Sequence, residues 1–239
     1  MISQVDVVVI CVPISATPET VRHFGPLLTK GKALILLAGE SEEAIQSALD
    51  STDAAVEVML VHNLWGPKAS TMRDKNAIVV RTSRSGILCS EFETFLYKHG
   101  ADIFHDSPRK HDLLMGVGQR LPTIVSVALA MTLHENAITS EDIASHCSLT
   151  SLYPILAMAR VHSQHARTYA EIMAMSGDSR KIVKDFVRNL EKVVQLSDAS
   201  AIASLSELIS NNSRLFNEDF LETRMRQAKA VDEVLSRMI

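Results

Sequence analysis

The sequence predicts an α/β layer of mostly parallel strands followed by an all-helical half. Three observations carry that prediction. Short, continuous apolar runs alternate with helix signals as far as Asp106. Beyond Asp106 no strand pattern recurs, and apolar residues fall at helical spacing instead. Finally, 46% of the 239 residues are hydrophobic, enough for a packed core rather than a disordered chain.

The elements follow in chain order. DVVVICV, residues 6–12, is a β-branched run without polar alternation, the pattern of a strand buried on both faces, and it stops at Pro13. Thr17-Pro18-Glu19 reads as an N-cap, a first-turn proline and a first-turn acid, opening a helix that ends near Gly25-Pro26. Residues 33–38 predict a second strand, 41–49 a helix, 56–62 a third strand and 76–81 a fourth. A helix at 89–99 and a short strand at 102–105 complete this layer. Ser107-Pro108 repeats the cap-plus-proline signal. From there helices are expected over 108–134, 140–147, 150–175, 179–197 and 199–237, the last broken near Asn211-Asn212. The expected domains are therefore 1–106 and 107–239. Leu221, Met225, Ala228, Val231, Leu235 and Met238 form an apolar stripe, read either as packing against a neighbouring helix or as a dimer seam.

Composition excludes some classes of function. Lys and Arg number 24 against 28 Asp and Glu, both signs interspersed, so no dedicated nucleic-acid or anionic-membrane surface is expected. Cys11, Cys89 and Cys147 are far apart and odd in number, which fits a reducing compartment. The apolar run at 7–14 has no basic residue before it, and the stretch from Thr123 to Leu133 is short for a membrane span, so a cytoplasmic protein is expected. His146, Cys147, His162 and His165 lack further ligands at metal-binding spacing, so no metal is expected.

Three places can carry chemistry. Val12-Pro13-Ile14 with Thr17 lies at a strand's carboxyl end, where ligands bind in parallel α/β sheets; an ordinary turn is the plain alternative. His62 ends the third strand and is followed by Asn63 and the only tryptophan, Trp65. A histidine there can serve as a general base, or be a half-buried structural residue. Arg160 lies in a largely apolar stretch and needs an anion, either a protein carboxylate, the better reading from the residues alone, or a substrate.

Taken together, these residues resemble the prephenate dehydrogenase family. The resemblance is carried by DVVVICVPISATPETV (6–21), HNLWGPK (62–68), GADIF (100–104), KHDLLMGVGQRL (110–121) and LAMARVHSQHARTYAEI (156–172). It is closest to the dehydrogenase domain of bacterial bifunctional enzymes. It implies an incomplete Rossmann-like domain joined to a helical dimerisation domain. It also implies NAD- or NADP-dependent oxidative decarboxylation of prephenate to 4-hydroxyphenylpyruvate, in tyrosine biosynthesis. By that resemblance His62 takes the hydroxyl proton, and Arg160, Tyr169 and Gln119 bind a dicarboxylate substrate. Val12, Pro13 and Thr17 then face the cofactor, and the chain forms a homodimer.

The chain departs from the family pattern at several positions. No glycine precedes Gly25, so GxGxxG is missing and the first strand corresponds to the fourth of the family's sheet. Glu40 stands in a turn where the family carries a hydroxyl, Thr123 where it carries a second histidine, and Asn63 where it carries a proline. Neither a turn serine nor a second histidine is therefore carried over. Two other readings remain open: a non-catalytic dimeric relative that binds a carboxylate ligand or a partner protein, and an arogenate-type dehydrogenase.

Overall fold

The computed structural model describes residues 2–66 and 69–237. Pro67 and Lys68 of the HNLWGPK segment and Met238 of the apolar stripe lie outside them. The chain forms two compact units: residues 1–123 with 165–182, and residues 124–164 with 183–239. Strands stop at residue 105, so the change of pattern and the change of packing fall at different places.

The first unit is built on a five-stranded sheet of β1 (Val7–Ile10), β2 (Ala33–Leu37), β3 (Glu57–Asn63), β4 (Lys75–Arg81) and β5 (Ala101–His105), in that spatial order. Every neighbouring pair is parallel except β3 and β4. The continuous apolar runs exist because successive side chains point to opposite faces and both faces are covered. Leu34, Leu36, Val58 and Leu60 pack with Val21, Ile45 and Ala48 of helices α1 (Thr17–Phe24) and α2 (Glu42–Ser51). Ala33, Ile35, Met59 and Val61 pack with Cys89 and Leu96 of α3 (Ile87–Lys98).

The expectation for β1 needs correction. It is four residues long and lies at the sheet edge, and Val9 is 43% exposed rather than buried on both faces. Thr17 is likewise not an N-cap. A short 3-10 turn at Ile14–Ala16 precedes α1, Thr17 begins the helix proper, and its hydroxyl donates to the Pro13 carbonyl at 3.2 Å. Elsewhere, side chains distant in sequence finish the helix ends. The Glu57 carboxylate accepts from the Gly86 and Cys89 N–H groups and so caps the start of α3. Hydrogen bonds from these N–H groups outweigh the effect of burial and hold Glu57 below the usual glutamate range.

Ser107 caps α4 (Pro108–Met115) as its sequence predicts. The following helix is not uniform: a π-helical segment, Gly116–Arg120, separates α4 from α5 (Leu121–Glu135). Pro108–Glu135 is the one described run long and apolar enough to cross a membrane. Its buried residues include His111, Asp112 and Met115, which lie in the first unit.

The remaining helices are α6 (Ser140–His146), α7 (Leu149–His162), α8 (Ala166–Ala174), α9 (Ser179–Asp198), α10 (Ile202–Ser213) and α11 (Glu218–Leu235). Two expectations change here. The single helix expected over 150–175 is two, with a break at 163–165, and α8 belongs to the first unit. The break expected at Asn211-Asn212 comes slightly later, where Asn217 caps α11 by accepting from Phe220 N–H at 2.7 Å. Among the described residues no hydrophobic side chain of the second unit is fully buried.

Candidate active site

Parallel strands bring their carboxyl ends to one edge of a sheet, and His62 lies there, near the end of β3. It shares the sheet face of Val58 and Leu60, so it points towards α4 rather than α3. Only 7% of it is exposed. Burial, with a smaller contribution from the adjoining His111, pushes its pKa down to about 3, against a weaker opposing pull from Asp112. His62 is therefore a neutral ring across the physiological range.

A hydrogen-bonded series runs inward from this ring. His62 Nδ1 lies 2.9 Å from Nε2 of His111, and His111 Nδ1 lies 2.8 Å from Oδ1 of Asp112. Asp112 accepts in turn from the Ser41 N–H and hydroxyl, both at 2.8 Å, and from the Glu42 N–H at 2.9 Å. These N–H groups open α2, where a carboxylate is also favoured by the helix dipole. Burial alone would raise the Asp112 pKa, but the donors from His111, Glu42 and Ser41 together hold it below the usual aspartate range. His111 and Asp112 are 0% and 2% exposed, so the middle of the series is closed to bulk solvent.

On its outer side, His62 Nε2 lies 3.1 Å from the Gln119 amide nitrogen. The π-helical segment sets that contact by shifting Gln119 out of the α-helical register. The segment itself approaches α9 closely. A Cβ at Gly116 would come within 2.8 Å of Ile182 Cγ1, so only glycine fits. A second glycine keeps His62 approachable, because a Cβ on Gly39 would meet Ile14 at 3.3 Å and His62 Nε2 at 3.5 Å.

The other expected residues divide between the units. Val12 is half-buried and Pro13 exposed just beyond β1, whereas Thr17 is buried with its hydroxyl bonded to Pro13. Tyr169 is half-buried on α8, which packs against the Ile14–Ala16 turn and the π-helical segment; Ser15 donates to Glu171 of that helix at 2.9 Å. Arg160 lies on α7 in the second unit. The protein carboxylate expected for it is absent among the described residues, because its position on α7 is exposed and needs no counter-ion for solvation. Glu40 does not leave a free carboxylate either; it accepts from the N–H and hydroxyl of Ser176.

Sequence reasoning left Ser41, His111 and Asp112 out of the site. The adjacent histidine and aspartate of KHDLLM were the available signal, but nothing in the sequence shows that they reach His62 and the start of α2. Gly39, lacking a side chain, leaves free the position beside His62 Nε2 where a Cβ would stand at 3.5 Å. For a diphosphate, the described residues offer no glycine-rich turn, and α1 carries Glu19 in its first turn.

Comparison with known proteins agrees with this architecture. Residues 107–211 match the family described as prephenate dehydrogenase, dimerization domain. Over 226 residues the chain is 22% identical to a probable arogenate/prephenate dehydrogenase of Methanocaldococcus jannaschii, covering 94% of this chain and 47% of that protein. It is 23% identical over 197 residues to the T-protein of Haemophilus influenzae, covering 81% and 51%. The chain thus spans about half the length of the curated relatives it matches. The crystal structure of prephenate dehydrogenase from Aquifex aeolicus, solved with hydroxyphenyl propionate and NAD+, superposes with a TM-score of 0.67 at 16% identity, over 89% of this chain and 78% of that one. The Synechocystis arogenate dehydrogenase gives 0.67 at 14%, over 89% and 79%. Sequence and fold together point to the prephenate/arogenate dehydrogenase dimerisation-domain family.

Proposed function

We propose that this chain carries the proton-accepting and substrate-binding part of an NAD- or NADP-dependent prephenate dehydrogenase. The observation that carries the reading is His62: a buried neutral imidazole at the ligand end of the sheet, its outer nitrogen reachable beside Gly39. Val12, Pro13 and Thr17 are proposed to border the nicotinamide, which when bound supplies the two-electron acceptor. His62 Nε2 takes the hydroxyl proton of the substrate ring as the carbinol carbon is oxidised. Loss of the ring carboxylate as carbon dioxide then makes the ring aromatic. Gln119 is within reach of the same nitrogen and would hand its place there to the substrate hydroxyl. Arg160, an exposed guanidinium, and Tyr169 are proposed to bind the dicarboxylate. The division of labour is proposed as 1–106 for the cofactor and 107–239 for substrate and dimer contacts, in the cytoplasm.

The test is calorimetric titration of the folded chain with NAD+ and NADP+, with and without prephenate or arogenate, followed by absorbance of reduced nicotinamide. Saturable cofactor heat and substrate-dependent reduction that His62→Gln abolishes are the expected results. Absence of both in folded protein would overturn the enzymatic reading. It would favour a non-catalytic carboxylate-binding relative, which the exposed Arg160 also suits; Arg160→Ala would then weaken ligand binding while His62→Gln would not.

A further inference from the structure

The charges of the buried series decide which atom of each ring holds a proton. Asp112 is held ionised and can only accept, so the His111 Nδ1 that faces it at 2.8 Å carries hydrogen. With its one ring hydrogen on Nδ1, His111 presents a lone pair at Nε2. His62 Nδ1 faces that lone pair at 2.9 Å and must donate. The bare nitrogen of His62 is therefore Nε2, the one turned towards Gln119 and the strand ends.

One added proton has two places to go. On His62 it would form a buried cation whose carboxylate lies one ring away. On His111 it would form a cation in direct contact with Asp112, itself anchored by three donors of α2. The second arrangement is favoured, because a buried charge needs its counter-ion in contact. The other charged groups nearby are already engaged: Glu40 by Ser176, Arg120 by the Met175 carbonyl and Ser179, and Glu171 by Ser15 and Arg167. Glu42 contributes only its backbone N–H to this series.

We propose that His111 is a positioning residue that fixes the His62 tautomer and stores the proton which His62 takes up. The proposal rests on the reading of His62 as proton acceptor. As the substrate O–H bond breaks, a hydrogen bonds to His62 Nε2; the His62 Nδ1–H bond breaks and hydrogen bonds to His111 Nε2. His62 ends neutral with its tautomer reversed, His111 ends as the cation, and Asp112 keeps its negative charge. The hydride leaves separately, to the nicotinamide. This explains how a ring so strongly desolvated can serve as a base: it transmits the proton rather than keeping it.

Nitrogen-15 correlation spectra of the histidine rings in the full chain test this without substrate or cofactor. His62→Gln and His111→Gln assign the signals. At neutral pH His62 is expected as the Nδ1–H tautomer with a bare Nε2. On acidification His111 should become doubly protonated while His62 changes to the Nε2–H tautomer. An Nε2–H tautomer at neutral pH, or a first imidazolium at His62, would overturn the proposal. Asp112→Asn should abolish the tautomer change; its persistence in that variant would also count against the relay. Because the readout needs no turnover, an inactive chain with the expected spectra would sink the dehydrogenase reading alone.

Discussion

The two units bury their apolar residues in opposite ways. In the first, β2 and β3 are sealed on both faces, with Leu34, Ile35, Leu36, Met59, Leu60 and Val61 at 0% exposure. In the second, α9 leaves Phe186, Val187, Leu190, Val193 and Val194 between 36% and 48% exposed. On α11, Leu221, Met225 and Val231 of the apolar stripe are 39%, 59% and 42% exposed. Within α11 and α7 the clearest fixed contact is polar: the Tyr153 hydroxyl donates to Asp232 at 2.6 Å, which raises the Tyr153 pKa. One unit seals its central strands within a single chain, while the other presents an apolar surface of the kind that marks association. Of the stripe, Ala228 and Leu235 are half-buried, so packing on a neighbouring helix covers part of it and leaves Leu221, Met225 and Val231 exposed.

That contrast can be broken most sharply by truncation. Leu60→Ala should destabilise the first unit by about 2–5 kcal/mol in urea unfolding. Val193→Ala in dilute protein should cost less than about 1 kcal/mol, whereas Val193→Asp should lower self-association in sedimentation equilibrium. Equal losses from Leu60→Ala and Val193→Ala would erase the distinction.

Acid should act next, and on the first unit. His62 has its folded pKa depressed from 6.5 to about 3, so below 6.5 the unfolded chain binds the proton that the folded chain excludes. Stability should therefore fall as pH drops from 6.5 towards 3. Asp112, depressed below 3.8, adds a loss as pH falls further through its folded value. Thermal unfolding midpoints across this range check both, and His62→Gln should flatten the upper part of the curve.

Smaller effects sharpen the picture of how the first unit is finished. Arg84 donates to the carbonyls of Ala48, Thr52 and Asp53 and to the Thr52 hydroxyl, closing the end of α2. Arg84→Met should cost about 1–3 kcal/mol in denaturant unfolding. At the bottom of the scale, Glu43→Ala removes only an exposed contact to Arg22 at 4.0 Å, and stability should stay within about 0.5 kcal/mol.

Local sequence determined the alternation of strands and helices up to residue 105, the Ser107 cap and the bounds of α9, because apolar period and capping chemistry act over a few residues. It also marked His62 as a strand-end histidine and selected the family. Only tertiary structure decided that β3 and β4 run antiparallel, since strand direction depends on pairing between distant segments. The same holds for the site. Residues 41, 62, 111, 112 and 119 become neighbours only when α2, β3, α4 and the π-helical segment pack together. Their hydrogen bonds then assign each ring nitrogen its role, which no one-dimensional pattern encodes because it depends on which buried charge lies beside which ring.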